Sequence, residues 1–368
     1  MRNYSSVTTC ADIFSYCFCE RQDMPVYYTG LNASPLFSNQ DGIVTSISHL
    51  TQIPFPEITD IEIGWNYFLL WQNTKLYITG KISEEDEKNR PRLMQIPEES
   101  SGSCKLAIPG RDSVIVLSTR NEIWKYKIYD DTWQKVTPFI PNNDNIQVEY
   151  VIKLSQAGCT VILTNLGRVF NAPLLVEIPK RIKFVDLACG FDHTILLAEN
   201  GDVYSMGMGI RGQLGHNELE NCDNPKLIEA LAGLKVVQIS AGGWHTAVVT
   251  DQGDLYTWGW NSNGELGIEN KDKKVYAVPT LVDFKNDREE NIEINVKKVE
   301  CGNSFTICLT DDGFFWGCGT NKYGQLGKLQ RNLENPYNFV KLDIYFSLNS
   351  ETVKKFKCHE WGTAIITE

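Results

Sequence analysis

The sequence lacks the apolar run of about 20 residues that a membrane-spanning helix needs, so we expect no segment that crosses a bilayer. The first residues, from Met1 to Asp23, include acidic side chains and no sustained apolar core. Because a secretory signal requires such a core, we expect the protein to stay inside the cell.

Basic residues are outnumbered in this chain. It has 35 lysines and arginines against 46 aspartates and glutamates, which gives a formal net charge of −11 at pH 7. A negatively charged protein repels the phosphate backbones of nucleic acids. Direct nucleic-acid binding is therefore not expected, and proteins are the expected partners.

The motifs of common catalytic sites are also missing. There is no Gly-x-x-x-x-Gly-Lys-Ser/Thr phosphate loop, no Gly-x-Ser-x-Gly turn and no His-Glu-x-x-His helix. The eleven cysteines are scattered, and Cys17-Phe18-Cys19 has no second pair at zinc-binding spacing. These absences predict a chain without a disulfide framework, metal, cofactor or enzymatic activity.

What the sequence does contain is a repeat. The stretch Ser240–Gly259 aligns without gaps with residues 188–207 and 300–319. In each copy a ring-bearing side chain stands eight positions before a turn glycine, as in His193 and Gly201, His245 and Gly253, Phe305 and Gly313. Self-similarity of this kind predicts a repeat architecture in which neighbouring units stack on one another.

Each copy has the pattern of a small antiparallel sheet, because runs of β-branched and apolar residues alternate with glycine-containing turns. With Gly242 as the reference column, seven rows align, and they span residues 61–80, 104–126, 151–170, 184–215, 236–267, 296–327 and 353–368. One such sheet cannot bury both of its faces, and radial stacking of seven gives a β-propeller. We therefore predict an all-β, seven-bladed propeller that forms a single domain over residues 1–368.

The last row stops after its second strand and lacks an outer half. Residues 24–32 match the third strand of the other rows and can supply that half. The sequence therefore predicts that N-terminal strands close the seventh blade.

Three rows end in a short turn, at residues 212–215, 264–267 and 324–327, with the pattern Gly-Gln/Glu-Leu-Gly. Together with Gly-x-x-His, an Asp/Asn-x-Gly turn and Tyr-x-Trp-Gly-x-Asn, this turn resembles the regulator of chromosome condensation repeat family. The resemblance is strongest from Phe184 to Gly327, and the first three rows lack the turn. The glycines fit a tight turn, and the leucine is expected to fill the gap between blades.

The repeated histidines could suggest a metal site, but equivalent residues on different blades point into different sheets and cannot converge on one ion. We therefore predict a structural role for the repeated column residues, which are Gly190, His193, Gly242, His245 and Gly302.

Binding residues are expected instead in the loops after the third strand of each row, at 208–211, 260–263 and 320–323, where the copies differ. Arginine and aromatic side chains are favoured anchors of protein interfaces, and the candidates are Arg211, Trp260, Asn263, Lys322 and Tyr323. Ordinary loop drift explains the same variation and stays open as the alternative.

Two charged insertions, near residues 81–97 and 268–295, are expected to be mobile lids or solvated loops.

The family resemblance implies a function. A single-propeller member of the family would be a noncatalytic interaction scaffold in the nucleus, where it would associate with chromatin, and the cytoplasm is a further location that stays open. Its partner would be a Jumonji-domain oxygenase that acts on histones or other proteins, and the complex would support chromatin regulation and mitosis. Histones are further partners that the resemblance implies, and the propeller would be a monomer within a heteromeric complex. The alternative is guanine nucleotide exchange on the small GTPase Ran, which is the activity of the family's founding member. An accessory domain of a ubiquitin ligase or of a channel regulator is disfavoured, because the propeller takes up nearly the whole chain.

Overall fold

The computed structural model of the chain describes residues 25–33, 35–37, 45–80, 91–97, 102–136, 149–156, 158–178, 182–270, 272–286, 288–327, 336–344 and 352–368. β-Strands dominate these residues, and two 3-10 turns occur at Pro35–Phe37 and Glu229–Leu231. Three features discussed above lie outside the described residues: the Cys17-Phe18-Cys19 pair, position 24 of the closing segment and positions 81–90 of the first insertion.

The first three blades are each a four-stranded antiparallel sheet whose strands follow one another in chain order. The strands of blade 1 are Asp60–Ile63, Tyr67–Gln72, Lys75–Gly80 and Arg92–Leu93. Those of blade 2 are Cys104–Pro109, Ser113–Ser118, Ile123–Lys127 and Thr132–Lys135. Those of blade 3 are Val151–Gln156, Thr160–Thr164, Val169–Asn171 and Leu174–Leu175.

Blades 4, 5 and 6 repeat the same order of strands. Blade 4 consists of Phe184–Cys189, His193–Ala198, Val203–Gly207 and Cys222–Leu227. Blade 5 consists of Val236–Ala241, His245–Thr250, Leu255–Trp260 and Val275–Leu281. Blade 6 consists of Val296–Cys301, Phe305–Thr310, Phe315–Gly319 and Val340–Lys341.

Blade 7 combines strands from both parts of the chain. Its inner strands are Val353–His359 and Gly362–Thr367, and its outer strands are Val26–Leu31 and Ser46–Gln52. Val26 pairs with Ile366, and Gly30 pairs with Gly362. The predicted closure of the last blade by N-terminal strands is therefore confirmed.

The seven sheets form a closed ring. The first strand of every blade contacts the first strand of the next blade, and blade 7 contacts blade 1 in the same way. A separate cluster of buried apolar side chains fills each of the seven interfaces between neighbouring blades. This arrangement confirms the predicted all-β, seven-bladed propeller, while the assignment of the whole chain to one domain stays a prediction.

The structure corrects two details of the sequence interpretation. Every blade has a fourth strand that the three-strand reading of the rows missed. The fourth strands of blades 1, 3 and 6 contain only two residues each, which is too few to show a period. The insertion at 268–295 was expected to be a lid or a solvated loop, but it contains the fourth strand of blade 5 and a small hairpin in which Phe284–Lys285 pairs with Asn291–Ile292. Phe284 is buried against the rings of Trp316 and Phe339.

Candidate functional site

One end of the propeller collects most of the candidate residues. In a four-stranded antiparallel sheet, the loops after the first and the third strand emerge at the same end. The predicted binding loops follow third strands, so they share this end with the short loops between the Gly column and the second strand. We call this end the aromatic face because of the side chains it carries.

A first aromatic cluster joins blades 4 and 5, and it consists of Phe191, Arg211, Trp244 and Trp260. The Arg211 guanidinium carbon lies 3.8 Å from the centre of the Trp244 ring and 4.9 Å from that of Trp260. Phe191 packs edge-on against Trp244, with 5.2 Å between the ring centres. A guanidinium between two indoles is held by attraction to both ring faces. The structure thus brings together two predicted residues, Arg211 and Trp260.

A second aromatic cluster extends from blade 6 through blade 7 to blades 1 and 2, and it consists of Trp65, Arg111, Lys322, Tyr323 and Trp361. The Trp361 ring packs edge-on against Tyr323 at 5.9 Å and against Trp65 at 5.8 Å. The two cations lie over the outer rings of this row, Lys322 over Tyr323 at 5.4 Å and Arg111 over Trp65 at 5.2 Å. These rings are partly exposed, so a partner could reach them.

The predicted binding loops are fixed by the repeat turn that follows them. The side-chain oxygen of Gln213 accepts a hydrogen bond from the backbone N–H of Arg211 at 2.8 Å, and Gln325 does the same for Tyr323 at 2.8 Å. In blade 5 the carboxylate of Glu265 accepts from the N–H of Asn263 at 2.6 Å. The backbone of the three loops is therefore held in the same way, while the side chains differ from blade to blade. Because the backbone is already fixed, little conformational entropy is lost when a partner binds.

Glu265 differs electrostatically from its two glutamine counterparts. Its side chain is 2% exposed, and burial raises the pKa of its carboxyl to about 7. The hydrogen bonds from the turn backbone lower this pKa, but their effect is smaller than that of burial. Gln213 and Gln325 place an uncharged amide in the same position.

The loops nearest the axis are linked by backbone hydrogen bonds from blade to blade. Phe191 N donates to Gly243 O, Gly243 N to Asn303 O, and Asn303 N to Glu360 O, at 2.8 to 3.1 Å. Glu360 adopts a φ of +45°, a conformation that non-glycine residues rarely occupy. Burial raises the pKa of the Glu360 carboxyl, while His359, Asn303 and Arg111 act in the opposite direction. The two aromatic clusters are therefore connected through a rigid axial rim.

The predicted structural histidines make the same contact in two blades. His193 Nε2 lies 3.0 Å from Thr246 Oγ1, and His245 Nε2 lies 2.9 Å from Thr306 Oγ1. Since the Thr306 hydroxyl donates to the Glu265 carbonyl at 2.6 Å, His245 is the donor to Thr306. Burial lowers the pKa of His193 to about 4 and that of His245 to about 3. Each imidazole is thus a neutral link to the next blade.

In blades 4, 5 and 6 the glycines of the Gly column leave no space for a side chain. A Cβ added to Gly242 would lie 2.3 Å from the carbonyl oxygen of Gly302, and one added to Gly190 would lie 2.2 Å from that of Gly242. At Gly302 the obstacle is the Phe305 ring, at 1.9 Å. These positions are compatible with the structural role predicted for the five repeat residues, which stays a prediction until it is tested.

Within the described parts of the chain, no group of three or more His, Cys, Asp or Glu side chains is arranged to hold a metal ion. None of the helices there is long and apolar enough to cross a membrane.

Five residues of the two clusters were missed by sequence reasoning: Trp65, Arg111, Phe191, Trp244 and Trp361. They lie between the Gly column and the second strand, where the copies disagree as strongly as in the predicted loops. These five residues could have been predicted from that sequence variation, because the loops after the first and the third strand of an antiparallel sheet emerge at the same end. Asn263, by contrast, is predicted but contacts its neighbour Ser262 rather than either cluster.

Two models of the regulator of chromosome condensation (RCC1) repeat match the chain. One matches residues 200–249 and 252–309, and the other matches residues 184–213, 236–265 and 296–325. The matched region begins at blade 4 and ends in blade 6, as the repeat motifs do.

The chain is similar to RCC1 domain-containing protein 1 of Homo sapiens, with 30% identity over 227 residues, or 53% of this chain and 58% of that protein. It is 40% identical over 162 residues to the E3 ubiquitin-protein ligase HERC2 of Homo sapiens, which is 43% of this chain and 3% of HERC2. The chain thus covers less than two thirds of the length of either relative.

Two solved structures share the fold. Human WBSCR16 superposes with a TM-score of 0.73 at 18% identity, covering 94% of this chain and 99% of that one. Prp20p of Saccharomyces cerevisiae, described with its binding properties to Gsp1p and histones, gives a TM-score of 0.71 at 15% identity, covering 94% and 92%. The closed ring of seven blades and these two structures show the propeller fold, and the matches to the RCC1 repeat lie within residues 184–325 of the chain.

Proposed function

We propose that the protein is a noncatalytic interaction scaffold that binds a partner protein through the two aromatic clusters of the aromatic face. The observation that carries the proposal is the placement of Arg211 between Trp244 and Trp260, partly exposed at the end of two rigid loops. Tryptophan, tyrosine and arginine are the residues that most often dominate the binding energy of protein interfaces.

The rigidity of these loops supports the same proposal. The repeat turns fix the backbone at Arg211, Asn263 and Tyr323 through one side-chain hydrogen bond each. Aromatic side chains that are already stacked lose little further freedom when a partner covers them. A scaffold of this kind needs no cofactor and performs no chemistry.

The proposed partner is a Jumonji-domain oxygenase, with histones as further contacts, and the proposed setting is the nucleus, chromatin and mitosis. Support for this finer statement comes from the similarity to RCC1 domain-containing protein 1. The chain would act as a monomeric propeller within that heteromeric complex.

The test is capture of a purified Jumonji-domain oxygenase by the immobilised chain and by the triple variant R211A/W260A/Y323A. We expect the triple variant to lose most of the capture, because truncating an interface anchor typically costs about 2 kcal/mol or more. The matched control is V185A/V237A/K297A, which truncates exposed side chains at the beginnings of first strands, at the opposite end of the propeller. Equal capture by the wild type and the R211A/W260A/Y323A variant, with unchanged melting curves, would remove the aromatic face from the proposal.

Nucleotide exchange on Ran is the alternative function, and the fold shared with Prp20p is compatible with it. Release of a fluorescent GDP analogue from Ran separates the two functions. Release at the uncatalysed rate agrees with the scaffold, and accelerated release contradicts a noncatalytic role.

A further inference from the structure

A cavity of about 270 Å³ lies between blades 3 and 4 at the aromatic face. Blade 3 contributes Cys159 and Asn171 to its wall, and blade 4 contributes the thioethers of Met206 and Met208 and the acidic side chains of Asp192 and Asp223. None of the described residues that line it is basic.

Two repeat features that fill the interface between blades 4 and 5 are missing where this cavity lies. In the column occupied by Met206, blade 5 has Trp258, which fills the space between blades 4 and 5 and donates to the backbone carbonyl of Gln213 in the repeat turn of blade 4 at 2.9 Å. Blade 3 has no such turn, since Asn171 is followed almost directly by its fourth strand. A smaller side chain on one side and an absent turn on the other leave the gap open.

The wall of the cavity has an apolar part, with two methionines, and an acidic part, with two aspartates. Met206 is 6% exposed and Met208 is 37% exposed, and both line the cavity, so the wall has an apolar part that includes a buried methionine. Asp192 and Asp223 are exposed at the rim, and the Asp192 carboxylate reaches toward blade 3, where a Cβ on Gly158 would lie 3.8 Å from its Oδ1. Neither carboxylate forms an ion pair with any residue that the structure describes.

Long basic side chains match this division, because they carry an apolar stem and a cationic head. A cavity of this size is smaller than a typical small-molecule site, which favours a single side chain as the occupant. We propose that the pocket between blades 3 and 4 receives an arginine or lysine side chain of a partner protein, with its stem on Met206 and Met208 and its head between Asp192 and Asp223.

The pocket would then give the scaffold a specificity that the aromatic clusters lack. Stacked rings accept many apolar and cationic groups, whereas two carboxylates at one edge select a basic residue at a defined position in the partner. This inference rests on the proposed function for its biological setting, but its test needs no partner protein.

The test uses methyl NMR of protein labelled at the methionine methyl groups. The chain has five methionines, so the Met206 and Met208 signals can be assigned by substitution, and buried Met94 in blade 1 is an internal reference. The probes are N-acetyl-arginine methylamide and the lysine analogue, with the neutral citrulline analogue as control. We expect saturable shifts of Met206 and Met208 with the two basic probes, with a Kd on the order of 1–10 mM.

Two variants make the outcome specific. D192N/D223N keeps the shape and is expected to weaken the basic probes by about five- to tenfold, as befits two exposed ion pairs. M206W copies Trp258 into the gap and is expected to abolish the Met208 response, while Met94 reports an intact fold. The proposal is overturned if Met206 and Met208 do not respond up to about 50 mM probe, if citrulline is as effective as arginine, or if D192N/D223N binds as the wild type does.

The two proposals fail separately. A methionine response to arginine together with unchanged partner capture by R211A/W260A/Y323A removes the aromatic clusters and leaves the pocket. Loss of capture by that variant without any methionine response removes the pocket and leaves the clusters.

Discussion

Blades 4 to 6 and blades 1 to 3 reach the same geometry with different chemistry. In blades 4 and 5 one contact is repeated: the Nε2 of a histidine lies within 3.0 Å of a threonine hydroxyl of the next blade, and the column glycine lies close to the column glycine of the next blade. In blade 1 the corresponding position holds Tyr67, whose hydroxyl donates to the Gly110 carbonyl at 2.7 Å and accepts from its N–H at 3.0 Å. Blade 3 places Gln156 in the Gly column, and its amide packs against Gly110.

The difference shows which parts of the repeat the propeller requires. Each interface needs one polar link near the axis and a filled apolar layer, and several side chains can provide them. Identity of sequence is therefore lost in blades 1 to 3 while the ring stays closed. The cavity described above lies between blades 3 and 4, at the boundary between these two groups of blades.

Among substitutions that test the difference between the two groups of blades, G242A is expected to change the free energy of unfolding most. The new Cβ would lie 2.3 Å from both the Gly302 carbonyl oxygen and His245 Cε1, so the free energy of unfolding should fall by about 3 kcal/mol. Chemical denaturation measures it. The control is G158A in the matching loop of blade 3, where the nearest atom lies 3.8 Å away, and it should cost less than about 0.5 kcal/mol. Equal losses in the two variants would contradict a special packing of the regular blades.

A second prediction concerns Glu265 and the pH. Its pKa is raised to about 7 in the folded protein from an ordinary 4.5, so the folded state binds this proton more tightly than the unfolded state does. The stability that this group contributes is fully present below about pH 4.5 and is lost as the pH rises through 7. E265Q should therefore raise the free energy of unfolding at pH 8 by about 1–3 kcal/mol and have little effect near pH 4.5.

Denaturation of both proteins at pH 5 and pH 8 checks this prediction. The substitution copies Gln213 and Gln325, so the hydrogen bond to the Asn263 N–H is kept. A stability gain that does not depend on pH would assign the effect to packing instead of charge.

The smallest change in the free energy of unfolding is expected when an arginine that lies over an aromatic ring is replaced by alanine. Arg211 lies over two indoles and Arg111 over one, at 5.2 Å. R211A should lower the free energy of unfolding by about 0.5–1 kcal/mol, and R111A by less than about 0.5 kcal/mol. Parallel urea titrations give the difference, and a larger loss for R111A would reverse the order of the two clusters.

The fold could be predicted from the sequence because the repeated columns carry it. Glycines at turns, β-branched runs and the match of residues 24–32 to a third strand report local conformation directly. The outer strands could not be predicted in the same way. A pair such as Leu174–Leu175 has too few residues for a period, and its strand state depends on pairing with Phe170 and Asn171.

The candidate site was predictable only in part, for a related reason. Loop variation pointed to Arg211, Trp260 and Tyr323, but the contacts of Trp361 with Tyr323 and Trp65 join residues of three blades that are far apart in the sequence. The pocket depends on what is absent, a tryptophan at position 206 and a turn in blade 3. Comparing Met206 with Trp258 would have revealed the first, yet its consequence appears only when the two blades face one another.

Blade 7 can be completed only at the end of synthesis, because its N-terminal strand Val26–Leu31 pairs with the last strand of the chain, Gly362–Thr367. Thr367 donates to the carbonyl of Pro25, 342 positions earlier in the chain. At about 5–20 residues per second, a ribosome needs on the order of 20–70 s to make the intervening segment. Throughout that interval Val26–Leu31 exposes an apolar edge without its partner strand, so a nascent chain should need shielding at its N-terminal hairpin until the last strand arrives.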